Sequence, residues 1–178
     1  GQSGRITRKE PISMSPAEST IARQLVVFVL GTEEYALPIQ TVQEVIRFQH
    51  PRAVSSSDPS LLGVINLRGR IVPVHDVRPQ LGIAHAPLPI VEPGEVEREA
   101  DDDDEKIVLV NIDDRMAGVV VDDVSEVLNV EAQEFEDLPA SGNSIVDGVV
   151  KSGERLIILL DPNVLTSLAD GQSEPLVQ

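Results

Sequence analysis

Three histidines and no cysteine stand in a chain of 178 residues, so the side chains able to do chemistry are few. Without cysteine there is no thiol nucleophile, no disulfide and no thiolate ligand for zinc or an iron–sulfur cluster. His75-Asp76 places a histidine beside a carboxylate, the raw material of an acid–base pair. On a strand, however, adjacent side chains point to opposite faces, so this aspartate cannot orient the ring. His50 and His85 stand in proline-containing segments. The carboxylate pairs Asp113-Asp114 and Asp122-Asp123 fall near expected turns, where solvation or capping accounts for them. Asp101 to Asp104 lack the alternating ligands, central glycine and closing glutamate of an EF-hand loop. No nucleophile elbow, P-loop, dinucleotide glycine fingerprint or His-Glu-x-x-His appears. The expectation is a chain with no catalytic residue, no cofactor and no metal.

The stretch Val64 to Asp76, VINLRGRIVPVHD, poses chemistry of another kind. Two apolar runs flank Arg68-Gly69-Arg70, which predicts a hairpin with Gly69 at a turn position requiring positive φ. An exposed ion pair contributes only about 0–1 kcal/mol, so stability does not account for Arg68. A planar, five-donor cation on a rigid tip suits recognition of another protein. Other partner classes are poorly served. The net charge is −16, from 30 acidic and 14 basic residues, and that field repels phosphate backbones and anionic lipid. Phe28, Tyr35, Phe48 and Phe135 are the only aromatics, too few for a base-stacking platform. No apolar run approaches the roughly 20 residues of a spanning helix, and no charged-then-apolar leader opens the chain. A cytoplasmic location without membrane insertion is expected.

The elements that position the hairpin are strands. Gln24 to Leu30 (QLVVFVL) and Ile107 to Ile112 (IVLVNI) are β-branched runs of strand length, each followed by a turn. That parallel extends into an internal repeat. Tyr35 to Ile46 aligns without gaps on Ala117 to Leu128, with Val-x-Glu-Val recurring as Val42-Gln43-Glu44-Val45 and Val124-Ser125-Glu126-Val127. Gly63-Val64-Ile65 through Asp76 then aligns on Gly148-Val149-Val150 through Asp161. Two halves of about five short strands each suit small closed barrels, which remove exposed edges. The first barrel is expected mainly over residues 36–83 and the second mainly over 117–165, with outer strands shared. Asp76 and Asp161 are expected to cap short helices over Val77 to Leu81 and Pro162 to Leu168. Residues 84–106, Pro-rich and acidic, read as a loop, and 1–20 and 169–178 as tails. The repeat also sorts the candidates. Leu160 stands where the first half has His75, which makes His75 a partly packed strand residue. Gly153 stands where it has Arg68, so the turn does not demand arginine.

Four blocks carry a resemblance: GTEEYALPIQTVQEVIRF, LLGVINLRGRIVPVHDVRPQLGI, MAGVVVDDVSEVL and GVVKSGERLIILLDPNVL. In this order they resemble the CheW family of chemotaxis coupling proteins, from about Gln24 to Leu168. The resemblance implies an all-β fold of two five-stranded SH3-like barrels packed on a shared core. It also implies a non-enzymatic adaptor that links chemoreceptor cytoplasmic tips to the regulatory domain of the histidine kinase CheA. Receptor contacts would fall on Val42, Glu44, Asn66, Arg68 and Gly69, with Glu44 pairing to Arg68. Kinase contacts would fall in the second subdomain, around Gly118 and Asp122. Two features depart from the family pattern: the long acidic insertion before Ile107, and His75 at a usually apolar position. Other readings consistent with the blocks are an adaptor of a different receptor–kinase pathway or an excised kinase regulatory domain. A calcium or small-molecule sensor would have to rest on the acidic loop.

Overall fold

The computed structural model describes residues 23–84, 88–95, 105–137 and 145–166. The expected tails, His85 and much of the acidic loop lie outside the described residues. The described residues form eleven strands: β1 (Arg23–Leu30), β2 (Glu33–Pro38), β3 (Val42–Arg47), β4 (Leu61–Leu67), β5 (Arg70–His75), β6 (Lys106–Ile112), β7 (Arg115–Val121), β8 (Asp123–Val130), β9 (Phe135–Asp137), β10 (Val146–Ser152) and β11 (Arg155–Leu160). They form two sheets, ordered β8-β1-β2-β11-β10-β9 and β3-β6-β7-β5-β4. The second sheet has the expected five strands. The first has six because β9 pairs with β10, where the first repeat makes only an isolated bridge from Arg52 to Val64.

Each sheet is built from both repeats. The β1–β2 hairpin joins the second repeat's strands, with β2 parallel to β11 and β1 antiparallel to β8. Reciprocally, β6–β7 joins the first repeat's strands, with β7 parallel to β5 and β6 antiparallel to β3. The exchange explains the two continuous apolar runs, because a strand covered on both faces does not alternate. On β1, Leu25 and Val27 face a core with Ala36, Val150 and Ile157, whereas Phe28 and Leu30 join a central core with Val108, Val119 and Leu160. On β6, Ile107 and Leu109 face Ile65, Val72 and Met116, whereas Val108 and Val110 enter that same central core. One apolar cluster therefore lies within each sheet's fold and a third between the two. By contrast, β3 alternates half-buried and exposed residues, as a strand with one solvated face must.

The expected helix over 77–81 is a single 3-10 turn, Pro79–Leu81. Pro79 contributes no N–H, and Gly82 at φ +76° ends the turn. After the equivalent Asp161 a helix does start, at 162–166. Asp161 accepts the Asn163 N–H at 2.9 Å at the start of that helix, as expected. Asp76 accepts the Arg78 N–H at 3.1 Å but stands too early to cap, because the 3-10 turn has Arg78 at its N-cap with no side-chain cap.

Two repeated glycines show why the repeat keeps them. A Cβ on Gly63 would stand 2.2 Å from the Arg52 carbonyl oxygen, and one on Gly148 would stand 2.8 Å from that of Glu136. In each half a neighbouring backbone presses on the strand, so only hydrogen fits. Gly63→Ala is expected to cost about 1–3 kcal/mol, and more than Gly148→Ala. Urea midpoints of the two variants check the order.

Candidate protein-recognition site

The β4–β5 turn is tighter than its glycine alone implies. Arg68 has φ +49° and Gly69 φ +88°, the two positive values of a type I′ turn. Asp113 and Asp114 make the same turn between β6 and β7, at φ +51° and +67°. Aspartate tolerates this region, but for arginine it costs roughly 1–2 kcal/mol. Gly153, the counterpart of Arg68, also has positive φ, +65°. The first repeat thus carries a strained arginine where the second carries an unstrained glycine.

Four of the expected recognition residues, Glu44, Asn66, Arg68 and Gly69, meet around that turn. The Arg68 guanidinium donates to the Glu44 carboxylate on β3, tying one end strand of the five-stranded sheet to the hairpin at the other. Arg68 remains largely exposed, its side chain 67% accessible. Asn66 Oδ1 accepts the Gly69 N–H at 2.9 Å, which braces the turn from within. Val42 opens β3 half-buried against the central core. Arg70 on the other arm donates to the Asp114 carbonyl at 2.6 Å.

The second repeat holds an equivalent clip that the sequence reading did not find. Arg155 bonds Glu126 at 2.6 Å and Glu34 at 2.9 Å. Those hydrogen bonds raise its pKa against a small opposing effect of burial. The signal was available, since Glu44 and Glu126 repeat, but the arginine sits before the turn glycine in one half and after it in the other. Exposed apolar side chains recur with the clips: Val45 and Ile71 on the first repeat's strands, Val127 and Leu156 on the second's.

Gly118 and Asp122 are not part of one surface. Gly118 is buried in β7 opposite Val74, and a Cβ there would come within 2.8 Å of Ile107 Cγ2. Its role is packing. Asp122 is partly exposed but occupied: one oxygen accepts the Gly31 N–H at 2.6 Å and the other an Arg78 N–H at 2.8 Å. Arg78, only 1% exposed, also bonds Asp76 at 2.9 Å and lies 3.5 Å from Glu105. Burial works against its charge, but the Asp76 hydrogen bond and the surrounding carboxylates more than offset this and raise its pKa. The hub joins the end of β5, the β1–β2 turn, the β7–β8 junction and the residue before β6.

His75 and Asp76 bond different partners, and His75, expected to be partly packed, is buried, as is Asp76. His75 Nδ1 lies 2.9 Å from Ser60 Oγ, and Ser60 in turn donates to Asp58 Oδ1 at 2.9 Å. This serine–histidine–aspartate set is no triad, because the serine and the carboxylate both approach Nδ1 while Nε2 is buried without a partner. The consistent state is a neutral ring whose Nδ1–H donates to Ser60. Burial lowers the ring's pKa from 6.5, the Asp58 charge opposing. The unfolded chain therefore takes up a proton below about pH 6.5 that the folded chain resists. Stability due to His75 is full above that pH and falls on acidification, by at most about 1.4 kcal/mol per unit. His75→Leu, the second repeat's choice, is expected to flatten stability between about pH 6.5 and 5, measured by urea titration at each pH.

Among the described residues no cluster of possible ligands could hold a metal ion, and no helix is long and apolar enough to cross a membrane. The family model for the CheW-like domain matches residues 24–170. The chemotaxis protein CheW of Klebsiella aerogenes is 30% identical over 158 residues, covering 85% of this chain and 86% of that protein. CheW of Bacillus subtilis is 27% identical over 161 residues, covering 88% and 95%. The crystal structure of the scaffolding protein TtCheW from Thermoanaerobacter tengcongensis superposes with a TM-score of 0.63 at 29% identity, covering 79% of this chain and 89% of that one. With the paired sheets, the internal repeat and the braced Arg-Gly hairpin already in view, the chain belongs to the CheW-like family, the family of the chemotaxis protein CheW.

Proposed function

We propose that this chain is a non-enzymatic chemotaxis adaptor. It works in the cytoplasm beneath receptor arrays, coupling the tips of methyl-accepting chemoreceptors to the regulatory domain of a CheA-type histidine kinase. The receptor tip binds at the β4–β5 hairpin, with Val42, Glu44, Asn66, Arg68 and Gly69 forming or bracing the contact. The kinase domain binds on the second repeat, near Asp122. The observation that carries the reading is Arg68: strained, exposed, and replaceable by glycine on the evidence of its own repeat. Backbone strain of this kind persists where a function retains it.

Bridging needs two surfaces, and the repeat supports two, each with an Arg–Glu clip and exposed apolar side chains on the same repeat. Each contact is expected to bury roughly 1,000 Å² or less, with avidity supplied by the array. The test is size-exclusion chromatography of the chain with a receptor-tip fragment and a kinase regulatory domain. The reading expects a three-component complex in which Leu156→Asp loses the kinase domain and keeps the receptor fragment. Mutually exclusive binding of the two partners would contradict it.

A further inference from the structure

We infer that β9 is a strap closed by salt: it docks on β10 when the carboxylates around it are screened and detaches when they are not. β9 is three residues long and pairs with β10 through Asp137–Gly148, Glu136–Val149 and Phe135–Val150. The internal repeat shows what sets this corner apart. In the first repeat the matching corner is held by Arg78, which bonds both Asp76 and Asp122. The same alignment sets Asp161 against Asp76 and Asn163 against Arg78. Asn163 keeps the backbone bond, its N–H reaching Asp161 as that of Arg78 reaches Asp76. It brings no positive charge. A further carboxylate is added instead, for Asp147 stands where the first repeat has Leu62. Asp147 lies at the bulge between Val146 and Gly148, beside the strand that β9 must join.

The corner therefore gathers Asp137 on β9, Asp147 on β10 and Asp161 after β11, and like charges this close disfavour one another. Burial, then the charges of Asp161 and Asp137, raise the Asp147 pKa, with Arg23 on β1 opposing. The attractions that hold the strand are few. Phe135 packs beside the core of Val150 and Ile157, with the Arg23 guanidinium carbon 4.9 Å from its ring centroid. Glu136 pairs with Lys151 at 3.1 Å, both side chains more than half exposed, and such a pair adds little. Residues 122–161 hold ten carboxylates and two cations, Lys151 and Arg155, and Arg155 is engaged by Glu34 and Glu126. A short end strand with so few contacts opens locally before the sheet does. Among the described residues no cluster of ligands could hold a metal ion, so salt acts here by screening. The screening length falls from about 30 Å at 10 mM salt to about 3 Å at 1 M. With the strap open, the six-stranded sheet becomes a five-stranded one like its counterpart.

The test is amide hydrogen exchange of the full chain, read by NMR in about 10 mM and about 1 M KCl. The β9 amides are expected to exchange about tenfold faster at the lower salt, measured relative to those of β6 and β7. Tetramethylammonium chloride should match KCl, because screening depends on charge and not on the ion. Asp147→Asn should slow β9 exchange at low salt to the high-salt rate. Asn163→Arg, the first repeat's choice, should do the same by the opposite change, which keeps the test independent of either variant's packing. A salt effect on β9 no greater than that on β6 and β7, or one that survives both substitutions, would overturn the inference. Closure of β9 at low salt by about 100 μM calcium would overturn it too, since that marks a bound ion in place of screening.

Discussion

Arg78→Leu is expected to destabilise the protein by about 3–5 kcal/mol, enough to unfold much of it at moderate urea. The side chain is 1% exposed and stands among Asp76, Asp122 and Glu105. Removing it leaves buried or half-buried carboxylates without the cation that offsets their desolvation. The loss also uncouples four segments, because Asp122 reaches the Gly31 N–H with its other oxygen. Arg78→Lys keeps the charge but not the fork that serves Asp76 and Asp122 together, so an intermediate loss is expected. Adding Asp122→Asn to Arg78→Leu should recover part of the cost, since the two side chains are in contact and their effects are not additive. Urea midpoints at neutral pH measure these three and Asp122→Asn alone. Simple additivity of Arg78→Leu and Asp122→Asn would show that no such hub operates.

The second large effect falls on binding. Arg68→Glu places a carboxylate beside Glu44 and reverses the charge at the hairpin tip, so affinity for a receptor-tip fragment should fall by at least about thirtyfold, the scale of an arginine hot spot. Folding should change little, because Arg68 is exposed and its ion pair contributes about 1 kcal/mol or less. Isothermal titration calorimetry against the fragment, with a urea curve beside it, separates the two effects. Unchanged affinity would remove the proposed role of the tip.

What could be read without coordinates follows a physical line. Strand length, β-branched composition and the repeat gave two sets of short strands, since those signals are local. Shared outer strands were expected, but which hairpin crosses to which sheet was not legible. A continuous run such as QLVVFVL says that both faces are covered, but not which sheet covers them. Arg78 lies 44 residues from Asp122 in sequence, and no local pattern announces such a pair. The same holds for Ser60 and His75, 15 apart, and their bond is why a histidine expected to be partly packed is fully buried. Arg68 was singled out because its repeat counterpart is glycine. Its partner Glu44 came from the family resemblance, and its strained φ appears only in the structure.

That strain supplies the most direct test of the central claim, that Arg68 is kept for binding and not for the fold. In Arg68→Gly the relief of a left-handed arginine, about 1–2 kcal/mol, is set against a lost surface pair and the entropy of a glycine, each about 1 kcal/mol or less. Stability should stay within about 1 kcal/mol of the parent. Affinity for the receptor-tip fragment, measured on the same preparation, should fall by about tenfold or more. A variant that binds the fragment as tightly as the parent would contradict the account.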